Sequence, residues 1–129
     1  DPPRIQGSPT RSRLPAVALA LYWLALFVAT HIPRPPEIEP PVSDKAIHFL
    51  AYAGLAALLA ATVRAWRGWR LRHMPVLLGL LAAYAAIDEL LQIPVGRHGD
   101  LYDWIADVAG AAVALTLAGI WFSRRPARP

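Results

Sequence analysis

Residues 74–92 read MPVLLGLLAAYAAIDELLQ. The run is uncharged until Asp88 and Glu89 arrive side by side near its end. At about 1.5 Å per residue, a helix of this length reaches roughly 28 Å, close to the hydrocarbon thickness of a bilayer. Its Leu and Ala content favours helix over strand. Lipid imposes the same choice, because an open strand there would leave its backbone N–H and C=O groups without partners. Three similar runs follow from working outward. Residues 14–32 carry no formal charge, 46–63 contain only His48 among His, Lys, Arg, Asp and Glu, and 104–122 are apolar except for Asp107. The expected fold is an all-α membrane protein, a bundle of four transmembrane helices.

Composition supports this. Hydrophobic residues make up 56% of the 129 and charged residues 17%, below the usual quarter of a soluble domain. Mean hydropathy is +0.36. A soluble chain this short has too little interior to hide so much apolar surface. The apolar run 14–32 exceeds the 7–15 residues of a signal-peptide core and is read as a retained span. Residues 1–13, rich in Pro, Gly, Ser and Arg, read as a flexible tail. Residues 14–122 form the transmembrane domain, and 123–129 a basic tail. There is no cysteine, which excludes disulfides and thiol catalysis.

The net charge of +4 and the pI near 10.1 would suit a nucleic-acid binder. Here the basic residues flank membrane spans, so no nucleic-acid partner is expected and topology accounts for them. Arg4, Arg11 and Arg13 precede the first span; Arg64, Arg67, Arg70 and Arg72 lie between the second and third; Arg124, Arg125 and Arg128 follow the fourth. These are ten of the 13 Lys and Arg. The positive-inside rule then puts both termini in the cytoplasm, with the chain multi-pass in the membrane. The acids do the reverse. All except Asp1 fall in the first or third loop or in the span halves next to them, which topology does not require.

Three clusters meet at that outer face. Asp44, Lys45, His48 and Tyr52 open the second helix; Asp44, His48 and Tyr52 share a face at i, i+4 and i+8. Asp88, Glu89 and Gln92 close the third. Arg97, Asp100, Asp103 and Asp107 lead into the fourth, where Gly110 continues the face of Asp103 and Asp107. Asp44 reads as a cap of helix 2, and Asp100 or Asp103 as a cap of helix 4. Taken singly, such residues are ordinary solvated helix starts. Asp88, Glu89 and Asp107 lie too deep for that, and an ionisable residue inside a membrane points to function by default. His31, His73 and His98 sit at loop edges, where no chemical role is expected.

In this order and spacing, Asp44-Lys45-x-x-His48-Phe49, Asp88-Glu89-x-x-Gln92 and Arg97 with Asp100, Asp103 and Gly110 resemble the VanZ-like family. The resemblance runs from Leu14 to Phe122. One departure is Asp107, where the family often carries Asn. The family's namesake is associated with resistance to the glycopeptide teicoplanin. The resemblance therefore implies a membrane protein of the bacterial cell envelope, not a reaction.

Three functions fit these residues. The first is a site at the outer face for an envelope lipid, a lipid-linked cell-wall precursor or a glycopeptide, made by Asp44, Lys45, His48, Tyr52, Asp88, Glu89, Gln92, Arg97, Asp103 and Asp107. Lys45 and Arg97 would hold an anionic group, and the acids would take amines and hydroxyls. The second is a hydrolase of a lipid-linked substrate, with His48 as base and Asp88 or Glu89 as acid. A divalent metal on Asp44, His48, Asp88 and Asp103 belongs to that reading. No strong metal-motif spacing is present, so neither a metal nor a cofactor is assigned. The third is an accessory subunit, with Ala53-x-x-x-Ala57 and Gly110-x-x-x-Ala114 packing on partner subunits.

Overall fold

The structure is a computed structural model, and residues 10–32, 43–96 and 99–125 of it are described. Four helices follow in order: α1 Thr10–His31, α2 Asp44–Arg67, α3 His73–Gln92 and α4 Leu101–Ser123, with a 3₁₀ turn Ile93–Val95 after α3. All four are long and apolar enough to cross a membrane. Each overruns its apolar run at one end or both. The intrahelical hydrogen-bond ladder continues through polar side chains, so hydropathy marks the span and not the helix. Residues 10–13, expected in the tail, are therefore the first turn of α1. Residues 1–9 and 126–129 of the two expected tails lie outside the described residues, as does Arg97.

α2 and α4 form the most extensive helix pair, with α1 on α2 and α3 on α4. Glycine makes the first contact possible. A Cβ at Gly110 would collide with the Phe49 carbonyl of α2, so the two backbones approach as small residues allow in membranes. This places Gly110 inside the bundle, and not on the partner face considered for it. The Tyr22 hydroxyl crosses from α1 over Gly54 and donates to the Ala51 carbonyl at 2.9 Å.

One buried stripe runs the length of the bundle. Tyr52, Leu55, Ala56 and Ala60 of α2 meet Leu77, Leu81 and Ala85 of α3 and Ala111 and Leu115 of α4. The outward faces carry large exposed apolar side chains such as Leu21, Leu80 and Leu117, as a bilayer would solvate. Beyond Tyr52, Ala85 and Ala111 the stripe continues, with different chemistry. Its next buried members are His48, Asp88, Glu89, Gln92, Asp107 and Asp103. Antiparallel order brings the start of α2, the end of α3 and the start of α4 to this polar end. The opposite end carries arginines: Arg64 lies over the Phe122 ring at 4.3 Å and donates to the Arg125 carbonyl, and Arg125 lies over Trp121 at 4.0 Å.

Candidate functional site

His48 is the centre of the polar end. It sits one turn into α2, and the i, i+4 spacing that buries Tyr52 buries it too. Its Nδ1 lies 3.0 Å from Asp107 Oδ1, within hydrogen-bond reach. The same nitrogen is 3.9 Å from Glu89 Oε1, and Nε2 is 3.9 Å from Asp103 Oδ2. Each ring nitrogen thus faces a carboxylate from another helix.

Lys45, one turn earlier, donates to Asp103 at 2.7 Å and to Asp100 at 2.8 Å. It ties the start of α2 to the start of α4. Asp100 is the N-cap of α4, accepting from the Tyr102 N–H at 2.8 Å; the cap therefore falls to Asp100 and not Asp103. The Lys45 hydrogen bond holds the Asp100 carboxyl below the usual carboxylate range, and the Tyr102 N–H adds to this. Asp44 is the first residue of α2, after its N-cap Ser43, instead of being the cap.

Glu89 reaches across to the loop, where its Oε2 accepts the Asp100 N–H at 3.0 Å. Its Oε1 is buried and has no hydrogen-bond partner, and the same holds for the Tyr52 hydroxyl. Tyr52 stacks on Tyr84 with ring centroids 6.2 Å apart.

Asp88 belongs to a second group. It accepts from Gln92 Nε2 at 3.2 Å, and its Oδ1 lies 3.4 Å from Thr30 Oγ1 and 3.9 Å from His31 Nδ1. Thr30 and His31 of α1 therefore border the polar end. Nothing in the local pattern of α1 marks them; only the packing of its last turn on α3 does. The expected metal set is divided in the same way. Ligand atoms of Asp44, His48 and Asp103 lie within 4.8 Å of one another, as do those of His48, Glu89 and Asp107. Asp88 is in neither group.

Beside the cluster, a groove of about 420 Å³ runs between α3 and the start of α4. Leu90, Ile93, Leu101 and Trp104 form its apolar walls, and Glu89 and Asp100 its polar end. The Trp104 indole N–H is used within the fold, donating to the Ala82 carbonyl at 2.9 Å.

Fold and site together define a four-helix membrane protein whose core turns from apolar to ionisable at one end. A family model described as VanZ/LLP1 matches residues 15–122, and the chain belongs to that family. Neither the curated proteins nor the solved structures contain a match.

Proposed function

We propose that the polar end faces the outside of the bacterial inner membrane and binds the headgroup of an envelope lipid or a lipid-linked cell-wall precursor. The observation that carries this is the groove, whose apolar walls end at Glu89 and Asp100. Such a shape suits an amphipathic molecule, with its chain against Leu90, Ile93 and Leu101 and its headgroup at the cluster. The donor set refines the headgroup chemistry. Lys45 is already held by two carboxylates, so the described site is rich in acceptors. It favours a headgroup that offers hydroxyl or amine hydrogens over a bare phosphate. The orientation rests on the arginines at the opposite end.

The test is purification from native membranes in mild detergent, followed by mass spectrometry of the bound lipid. The expected result is one lipid class enriched over the bulk membrane. The Ala86→Trp variant fills the groove and leaves the buried polar residues in place, and it abolishes that enrichment. Wild-type protein carrying only bulk lipid counts against the proposal. A stoichiometric protein partner in place of lipid would instead identify an accessory subunit.

A further inference from the structure

We propose that His48 Nδ1, Glu89 Oε1 and Asp107 Oδ1 form a binding site for one divalent cation, Mn²⁺ or Zn²⁺. The three side chains come from three helices, all are buried, and their ligand atoms lie within 4.8 Å of one another. The measured separations are 3.0 Å from Nδ1 to Oδ1 and 3.9 Å from Nδ1 to Oε1. An ion with bonds of about 2.1 Å keeps neighbouring ligand atoms roughly 3.0–3.4 Å apart and opposite ones about 4.2 Å apart. Both of these separations fall within that range. One imidazole with two carboxylates is a donor set that manganese and zinc accept.

Two buried groups point to a ligand independently of the acids' proximity. Glu89 is 7% exposed, and its Oε1 has no hydrogen-bond partner, although Oε2 is fixed by the Asp100 N–H. The carboxylate is thus held with one oxygen presented to His48. Tyr52 is 1% exposed, and its hydroxyl also lacks a partner, within electrostatic reach of Asp88, Asp107 and Glu89. Burying either atom without a partner costs free energy. A cation would satisfy Oε1 directly.

Charge leads the same way. Lys45 is committed to Asp103 and Asp100. Among the described residues that leaves Glu89 and Asp107 at Nδ1 of His48, with Asp103 beyond Nε2; when ionised, the two acids at Nδ1 set two negative charges against one positive charge at most. A divalent ion compensates both, and His48 then binds it as a neutral ligand. A carboxylate also stands near the other side of the ring, where metal sites commonly place the group that orients a histidine ligand. Asp103 stands beyond the other ring nitrogen of His48 at 3.9 Å, itself anchored by Lys45.

Ion binding needs no lipid, so it stands or falls apart from the lipid proposal. The experiment titrates Mn²⁺ into purified full-length protein in detergent, stripped beforehand with a chelator. It follows free Mn²⁺ by electron paramagnetic resonance. One saturable Mn²⁺ per chain is expected, with affinity falling about tenfold or more in Glu89→Gln and in Asp107→Asn. His73→Ala, at the arginine-rich end, leaves the affinity unchanged. Should the variants fail to fold, the spin-echo spectrum of Mn²⁺-loaded wild type decides alone, because it must show coupling to one imidazole nitrogen. The proposal is overturned by no saturable site in folded wild type, by undiminished affinity in both folded acid variants, by loss in His73→Ala, or by no imidazole coupling.

Discussion

The two halves of the buried stripe occupy the same helical positions and are built from opposite chemistry. Toward the arginine-rich end, Leu55, Ala56 and Ala60 pack on Leu77, Leu81 and Leu115. Toward the other end, continuing the same face of each helix, stand His48, Asp88, Glu89, Gln92, Asp103 and Asp107. In lipid the first half is held by close packing, since apolar side chains gain nothing by leaving hydrocarbon for one another. The second half must first offset the desolvation of its ionisable groups. A bundle that needed only to be stable could have continued the leucines. On the proposed function, stability falls to one half and binding to the other.

Four variants test that division, in order of expected loss of stability. Leu115→Ala removes the best-buried leucine of the apolar half and should cost about 2–5 kcal/mol. It would be read by unfolding in detergent, with the bound lipid retained in the fraction that stays folded. Gly110→Val, at the boundary of the halves, drives a side chain into the Phe49 backbone and should cost about 1–3 kcal/mol. Because α2 and α4 must separate, both stability and lipid retention fall, and retention that survives would uncouple the site from the helix pair. Tyr22→Phe deletes one hydrogen bond between α1 and α2 and should cost about 1 kcal/mol, with lipid retention intact.

No loss of stability is expected from the double variant His48→Leu/Asp107→Leu. Replacing a buried polar pair by apolar residues is often neutral or stabilising by about 1–4 kcal/mol. Here it should leave unfolding unchanged or raise it, while lipid retention is abolished. A strongly destabilised double variant would break the comparison, because the polar half would then be holding the bundle together.

Much of this was legible in the sequence. Uncharged runs of membrane-spanning length announce four helices, since a bilayer accepts little else. The i, i+4 spacing of Asp44 with His48 and of Asp103 with Asp107 puts each pair on one face, because helix pitch alone decides it. Alternating span direction brings all three clusters to one end. Other expectations rested on assignments that pitch does not decide. Asp88 was grouped with Asp44, His48 and Asp103, whereas it meets Gln92, Thr30 and His31. Lys45 is held by Asp100 and Asp103, and pitch does not decide between these acids and an anionic ligand. His31 was set aside as a loop-edge residue; Asp88 is 57 residues away in sequence and next to it in space.

The sequence by itself determined the helices and the end at which ionisable residues collect, because these depend on local composition and periodicity, and it carried the VanZ resemblance in the order and spacing of three motifs. Only the tertiary structure decided that His48 pairs with Asp107, that Glu89 spends one oxygen on the Asp100 N–H, and that the polar end divides around His48 and Asp88. Contacts between helices depend on how far each is rotated and how closely its neighbour approaches. For the central pair, that approach is set where Gly110 meets the Phe49 carbonyl. A glycine can be read from the sequence, but the backbone it admits cannot.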